Sequence, residues 1–185
     1  PTRRSSDLDV DIAGMIEKNM RRTGFFEPIP SGKFLALPTF GVPVSFGHWR
    51  AIGADYLVVG RLMAETEAQF ILEYELFDVY KGSRLAGYQV PTPKHRLHSA
   101  VHFVSDLIYQ DLTGRRGVFN TRIATVKVHG ENTAQSRYEL IIADADGNNA
   151  HVQLASTEPI MSPAWSPDRR RLAYVSFQND RPEIF

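Results

Sequence analysis

A stretch near the end of the chain, Glu158 to Phe177, constrains the fold more than any other part of the sequence. It contains a short apolar segment that ends in Trp165, a Ser-Pro-Asp turn, and a segment in which apolar side chains alternate. Proline fixes φ in such a turn, and the Asp168 carboxylate can bond to the backbone of the turn. The alternation that starts at Leu172 predicts a strand covered on both faces. A strand, a tight turn and a second strand are typical of the start of a β-propeller blade, with Ala164 and Trp165 buried on the inner strand.

The composition indicates an ordered globular protein and argues against several functional classes. The 185 residues are 43% hydrophobic and 11% aromatic, which is ordinary. Basic and acidic residues number 21 each, so no global field favours nucleic acid or an anionic membrane. Cysteine is absent, which excludes disulfides and thiolate zinc sites. No apolar run approaches the roughly 18 residues of a membrane-spanning helix, and the N-terminus lacks the apolar core of a signal peptide.

The first eight residues, Pro-Thr-Arg-Arg-Ser-Ser-Asp-Leu, show no apolar period. They resemble the in-frame translation of a sequencing-adapter oligonucleotide. We therefore predict that residues 1–8 are a non-native tail and exclude them from the reasoning about the fold. The alternative is a natural basic tail.

Residues 9–118 are predicted to form an α/β domain with a small mixed sheet and packed helices. In chain order the predicted elements are a helix from Asp9 or Asp11 to Gly24, a proline-rich ordered loop at 28–43, a short helix at 46–52, strands at 56–64, 70–80 and 85–90, and a long helix at 95–112. We expect a further strand to precede the first helix of such a domain.

Residues 119–185 are predicted to form antiparallel strands of an incomplete β-propeller, with one blade and part of a second. Short strands are expected at 121–128, 138–144 and 152–154, before the blade start described above. The segment 144–149 is expected to be a turn. The fold class is therefore α+β or α/β, followed by antiparallel β-strands.

Three histidines on the long helix have the spacing of metal ligands without the rest of a metal site. His95, His98 and His102 lie three and four residues apart. The zincin pattern places a glutamate directly after the first histidine of an i, i+4 pair, whereas Ser99 follows His98 here. We therefore predict no metal site. We expect His102 to bond a backbone group where the helix meets the sheet, and the other two to be solvated.

Two further motifs are interpreted as turns. Asp144-Ala145-Asp146-Gly147 superficially resembles a calcium loop, but its glycine comes too early. Arg169-Arg170-Arg171 is interpreted as a solvated tip rather than a phosphate-binding stripe. The sequence also has neither a nucleophile elbow nor a glycine-rich phosphate loop. It predicts no catalytic residue, no cofactor and no small-molecule substrate.

Several segments occur in an order that points to a known family. They are Asp11 to Gly14, Arg22 to Phe26, Trp49 to Gly60, Leu112 to Gly114, Phe119 to Ala124, Tyr138 to Leu140, Ala143 to Gly147 and Met161 to Asp168. In this combination the chain resembles the TolB family, the periplasmic β-propeller proteins of the Tol-Pal system. The resemblance covers nearly everything after residue 8.

The resemblance implies an N-terminal α/β domain followed by a six-bladed propeller. It implies a non-enzymatic periplasmic scaffold that maintains outer-membrane integrity and has a role in envelope constriction at cell division. The implied partners are the Pal lipoprotein, through which the protein is peripheral to the outer membrane, and TolA. No nucleic-acid partner is implied.

We predict partner contact at Glu158, Pro159, Ile160 and Met161, because a segment entering an innermost strand lies at the mouth of a propeller channel. An exposed methionine and proline offer adaptable apolar contact there. The alternative is that Met161 packs between blades.

Three departures from the family pattern are expected to matter. The segment that engages TolA and the first strand of the α/β domain would precede Asp9, and the remaining blades would follow Phe185. The family's glycine after Ser-Pro-Asp is Arg169 here. A turn that favours positive φ at this position carries a side-chain penalty of roughly 1 kcal/mol.

Two other functional classes remain open at this point. Similar blades occur in prolyl-oligopeptidase-like serine hydrolases, so the chain is alternatively the propeller-containing regulatory region of such an enzyme. A nucleic-acid-binding α/β module is the other, with Arg21 and Arg22 on its helix. The neutral net charge weighs against the second class.

Overall fold

The computed structural model describes residues 10–130 and 136–185. The chain divides into two compact units, one that extends to Asn120 and one from Thr121 to Phe185. This division lies next to the boundary expected after residue 118. The tail at residues 1–8 and the candidate cap Asp9 lie outside the described residues. No helix in the described ranges is long and apolar enough to cross a membrane.

The described part of the first unit packs helices against one sheet, which confirms the predicted class. Its elements are α1 (Ile12–Arg22), α2 (Phe46–Ala51), β1 (Tyr56–Ala64), β2 (Gln69–Asp78), β3 (Ser83–Pro93) and α3 (Leu97–Thr113), with 3-10 turns at Ser31–Lys33 and Lys94–Arg96. The strand order is β1-β2-β3. Both strand pairs are antiparallel, because tight connections join consecutive strands. The sequence predicted a mixed sheet, but no parallel pair occurs among the strands described here.

Local signals set the ends of the helices, as the sequence predicted. Oδ1 of Asp11 accepts a hydrogen bond from the backbone N–H of Gly14 at 3.0 Å, which caps α1. Gly24 follows α1 with φ 74°, and Gly114 follows α3 with φ 71°. Glycine adopts this left-handed conformation at little cost, so both residues end their helices.

Strand β3 extends beyond its predicted end. The sequence placed that end at Val90, before Pro91 and Pro93, but pairing with β2 continues to the last of these residues. Among the described strands, β3 has β2 as its single neighbour. A proline in an edge strand can place its missing N–H on the open side. The predicted end was wrong because proline was treated as a stop without regard to an edge position.

Strand β2 lies between its two neighbours and carries buried side chains on both faces. Four alternating residues, each at most 2% exposed, belong to a cluster that includes α1 and α3: Phe70, Leu72, Tyr74 and Leu76. The opposite face contributes to a second cluster, built around Trp49 of α2 and Val79. Strand β2 is therefore the central strand of the sheet and is packed on both faces.

A row of polar side chains crosses the sheet on the face opposite α1 and α3. Arg61, Glu73 and Gln89 occupy directly paired positions of the three strands. The Arg61 guanidinium and the Gln89 amide each donate a hydrogen bond to the Glu73 carboxylate, one to each oxygen. Glu73 is buried, and a buried carboxylate needs such partners to offset its lost hydration.

A second buried polar group joins α1 to α3. Asn19 Nδ2 donates to Nδ1 of His102 and to Oγ of Ser105, both at 2.9 Å, and all three residues are buried. An amide nitrogen can only donate, so Nδ1 of His102 is the acceptor in this contact. The sequence led us to expect a backbone partner for His102, whereas this bond joins it to a side chain of α1.

The described part of the second unit consists of two antiparallel sheets. The first contains β4 (Arg122–His129), β5 (Arg137–Asp144) and β6 (His151–Ser156), and the second contains β7 (Ile160–Trp165), β8 (Leu172–Ser176) and β9 (Glu183–Ile184). The predicted strand, turn and strand at the blade start are confirmed as β7 and β8.

The Ser-Pro-Asp turn between β7 and β8 has a dense set of hydrogen bonds. Oδ1 of Asp168 accepts from the Ser166 hydroxyl at 2.5 Å and from the Arg170 N–H at 3.1 Å. The Ser166 N–H donates to the Arg171 carbonyl at 2.8 Å. Arg169 has φ 60°, which confirms that this position favours the conformation of the glycine expected from the resemblance. Arginine therefore occupies a strained backbone position.

The predicted burial of β7 is wrong in part. Trp165 is partly buried, with the Arg122 guanidinium 4.9 Å from its ring centroid, but Ala164 is exposed. On β8, Ser176 is buried while Ala173 is exposed. Ala164 and Ala173 are thus exposed, although the sequence predicted strands that are buried or covered on both faces.

We predict that Asn19→Leu destabilises the first unit. The change removes both donors and leaves Ser105 and His102 buried with one bond fewer each, a loss of about 1–3 kcal/mol in the free energy of unfolding. Lys18→Leu, on the exposed side of the same helix, is the matched control. Urea unfolding followed by circular dichroism measures both, and equal stability of the two variants would refute this role for Asn19.

Arg169→Gly is expected to stabilise the second unit by about 1 kcal/mol, because glycine relieves the strain at positive φ. Arg170→Gly removes the same charge at a neighbouring position that is not among the residues with positive φ. Thermal unfolding of both variants tests this expectation, which fails if Arg170→Gly is as stabilising as Arg169→Gly.

The same turn predicts a pH dependence of stability. The Ser166 hydroxyl, followed by the Arg170 N–H, holds the pKa of Asp168 below its ordinary value. A carboxylate with a lowered pKa stabilises the fold above its ordinary pKa, and the contribution is lost as pH falls through the lowered value. Asp168→Asn should therefore flatten the decline in stability between about pH 5 and pH 2, measured by chemical unfolding at several pH values. An unchanged slope would contradict the assignment.

Candidate functional site

The structure places the segment predicted to contact a partner, Glu158 to Met161, at the entrance to β7. Glu158 is exposed, and its N–H donates to the Ser156 hydroxyl at 2.9 Å. Pro159 is partly buried, and its carbonyl accepts from the N–H of Phe177 at 3.2 Å. The first two residues of the segment are therefore held by hydrogen bonds, one to Ser156 before the segment and one to Phe177 after β8.

Its last two residues lie in opposite environments. Ile160 is 2% exposed, whereas Met161 is 51% exposed. Ile160 is thus an anchor in the core of the second unit, and its side chain offers no contact surface in this structure. Glu158 and Met161 are the exposed residues of the segment, and Pro159 is partly exposed.

A bulge in β7 follows Met161 directly. Between the pairs Met161↔Val175 and Ala164↔Ala173, β7 contains two residues and β8 only one. The first of the two, Ser162, has φ 49°. Bulges re-aim the neighbouring side chains, and non-glycine residues at positive φ occur preferentially at functional positions. The bulge therefore sets the local direction of the strand directly after Met161.

The sequence did not predict this bulge. Positive φ is usually signalled by glycine or asparagine, and neither is present between Met161 and Ala164. The local signal is Pro163, which disfavours the right-handed helical conformation for the residue before it. Proline at this point in a strand also favours a bulge over regular pairing.

The two exposed side chains of the segment are of types that occur in protein-binding surfaces. The Met161 thioether is flexible and polarisable, so it adapts to an apolar partner surface. Glu158 adds a solvated carboxylate that suits the polar rim of an interface.

The histidines of α3 and the turn before it have three different environments. His95 is exposed, as predicted. His98 is partly buried, and its Nδ1 is buried without a hydrogen-bond partner among the described residues, so the prediction that His98 is solvated is wrong. His102 uses Nδ1 in the network with Asn19.

The serine and histidine of that network do not resemble an activated nucleophile. Ser105 is fully buried, and its hydroxyl donates to the Val101 carbonyl at 3.0 Å. A nucleophile needs access to substrate and a base that takes its proton. Asn19 lies between the two groups as donor to both, so the network stabilises the contact between α1 and α3.

The acidic motif between β5 and β6 is confirmed as a turn. Gly147 has φ 87°, and its N–H donates to the Asp144 carbonyl at 2.8 Å. Oδ1 of Asp146 accepts from the N–H of Asn148 at 2.9 Å. Oδ2 of Asp144 accepts from the side chain of Asn149 at 2.5 Å. Both carboxylates thus take part in the hydrogen bonds of the turn.

Another carboxylate of the second unit lies at the β4–β5 pair. Glu139 Oε2 is 3.1 Å from Nε2 of His129, and its Oε1 is 3.5 Å from Nε of Arg137. The hydrogen bond from His129 is the main cause that lowers the pKa of Glu139. His129 and Arg137 occupy paired positions of β4 and β5, and Glu139, which is paired with Lys127, contacts both side chains from two residues along β5.

Comparison with known families supports the assignment of both units. A family model described as the TolB amino-terminal domain matches residues 1–85. A second model, the TolB beta propeller domain, matches residues 109–185. The two models occur in the order that the resemblance implied.

Individual proteins agree with these models. Proteins named Tol-Pal system protein TolB are 46% identical in Thioalkalivibrio sulfidiphilus and 39% identical in Nitrosococcus oceani, each over 175 residues. The matches cover 95% of this chain and 40% of each relative. The crystal structure of TolB from Acinetobacter baumannii matches with a TM-score of 0.85 and 38% identity, over 95% of this chain and 43% of that one.

The chain therefore spans about 40% of the length of the curated relatives it matches. These matches do not favour the alternative of a serine-hydrolase propeller. The two units, the Ser-Pro-Asp turn and these matches together show that the chain belongs to the TolB family.

Proposed function

We propose that this chain is part of a non-enzymatic, periplasmic protein-binding scaffold of the Tol-Pal system. In this role it supports outer-membrane integrity and envelope constriction during cell division. The observation that carries the proposal is the match of both units, in order, to proteins named Tol-Pal system protein TolB and to a solved TolB structure. Because the chain spans only part of these relatives, the activity belongs to the longer protein.

The exposed pair Glu158 and Met161 is the proposed contact with Pal. The bulge beside Met161, with Ser162 at positive φ, supports this assignment, because bulges re-aim neighbouring side chains. The buried side chain of Ile160 anchors the segment in the core of the second unit. We further propose TolA as a partner of the longer protein, on the basis of the family resemblance alone.

A scaffold role also fits the chemistry of the described residues. Two sets of buried polar groups are committed to structural contacts: Glu73 to Arg61 and Gln89, and Asn19 to His102 and Ser105. A catalytic site instead holds groups with shifted pKa values in an accessible pocket. The proposal therefore assigns binding rather than catalysis to this chain.

The test uses an intact TolB homologue with alanine at the position aligned with Met161. Binding to purified Pal is measured by isothermal titration calorimetry. We expect affinity to fall about tenfold, since truncation removes an adaptable apolar contact. Replacement by leucine keeps the volume and should retain most of the affinity.

The matched control is alanine at the position aligned with Val152, which is also about half exposed but lies on β6. Unchanged affinity of the methionine variant would show that Met161 packs between blades instead. Absence of Pal binding by the unmodified homologue would refute the scaffold role itself.

A further inference from the structure

A loop of the first unit presents large apolar side chains to solvent. Leu35, Leu37 and Val42 are 66%, 78% and 56% exposed. Together with His48 and Ile52 they line a shallow depression, which we name the 35–52 surface. Contiguous apolar surface of this kind marks interaction sites in proteins. It lies within the first unit and is separate from the segment proposed to contact Pal.

The inner side of the loop is held in place by aromatic contacts. Phe34 packs edge-on against the buried Trp49, with ring centroids 5.0 Å apart. The Arg61 guanidinium lies 4.4 Å from the centroid of Phe40. Pro38 and Pro43 restrict the backbone between these anchors. The outward leucines are thus presented by a fixed loop, which lowers the entropic cost of binding.

The charged residues next to the surface in sequence are basic, with Lys33 two residues before Leu35 and Arg50 two residues before Ile52. Between Glu27 and Asp55 the sequence contains Lys33, His48 and Arg50 but no acidic residue. Lys33 and Arg50 are both exposed, although the Arg50 Nε also donates to the Val79 carbonyl at 3.0 Å. Complementary charge steers partners and excludes wrong ones. An apolar surface with a basic border therefore selects an acidic, apolar partner.

The same charges argue against the two other occupants of an apolar surface. Two copies of the chain that met face to face would bring Lys33 and Arg50 against their own equivalents, and like charges repel. Anionic membranes are recognised by clusters of about four to eight basic residues, more than this segment carries. A depression also fits the side chains of a peptide better than a flat lipid surface.

We propose that the 35–52 surface binds a segment of a partner protein that carries carboxylates beside at least two aliphatic side chains. Leu35, Leu37 and Val42 contact the aliphatic side chains, and Lys33 and Arg50 pair with the carboxylates. This contact is independent of the one proposed for Met161.

The test exposes the immobilised full chain to a phage-displayed library of random 12-residue peptides. We expect the enriched peptides to have negative net charge and at least two aliphatic residues. The most enriched peptide is then synthesised with a fluorescent label, and its affinity for the chain is measured by anisotropy at low and high salt. Leu37→Asp should weaken binding at least about tenfold, because it removes an apolar contact and adds a repelling charge.

Two further variants separate binding from folding. Lys33→Glu leaves every leucine in place and should weaken binding in a salt-dependent way. Leu85→Asp replaces an exposed leucine of β3 and should leave affinity unchanged. Circular dichroism verifies that each variant is folded.

Several outcomes would overturn the proposal. One is a library that yields no enriched peptide, and another is enriched peptides whose binding is insensitive to both Leu37→Asp and Lys33→Glu. Binding to vesicles of phosphatidylglycerol and phosphatidylcholine, lost in Leu37→Asp without any peptide binding, would assign the surface to a membrane. A dimer in size-exclusion chromatography that Leu37→Asp dissociates would assign it to a second copy of the chain.

Discussion

Strand β2 is buried on both faces, and the arrangement of the first unit depends on that burial. One face supports α1 and α3 through Phe70, Leu72, Tyr74 and Leu76. The other face holds the Glu73 carboxylate, which is bonded by both neighbouring strands. A one-residue slip in register would bury the wrong set of side chains and separate Glu73 from its partners. The polar row thus specifies the register that the apolar face stabilises.

This register also has consequences for the surface of the unit. It places Arg61 where its guanidinium contacts Glu73 and the ring of Phe40. Phe40 belongs to the loop that exposes Leu37, so the Arg61 guanidinium contacts both the sheet and the loop. The buried core of the unit therefore also orients the side of the loop that faces solvent.

Much of the fold could be predicted from local sequence signals. Asp11, Gly24 and Gly114 end helices through backbone chemistry that acts within a few residues. The Ser-Pro-Asp turn likewise specified both its strands, whereas the strain at Arg169 was expected from the family resemblance. Contacts between distant residues were not predictable in this way. The bonds of Asn19 to His102 and of Glu73 to Gln89 depend on helix packing and strand register, and no short motif encodes either.

The candidate site was predicted in position but not in detail. The sequence placed it at Glu158 to Met161, yet it gave no indication that Ile160 would be buried or that Ser162 would adopt positive φ. Burial of Ile160 follows from the alternation of β7 once its partner strand is known. The bulge depends on pairing with β8, and the residues of the bulge lack the usual glycine. The structure thus reduces four candidate contacts to two exposed side chains on a strained backbone.

The most direct test of this account is hydrogen–deuterium exchange of an intact TolB homologue with and without Pal. The account predicts slower exchange on binding in the segment aligned with Glu158 to Met161 and at the start of β7, with exchange in β2 unchanged. Slower exchange confined to the first unit, with no change around the position of Met161, would contradict it.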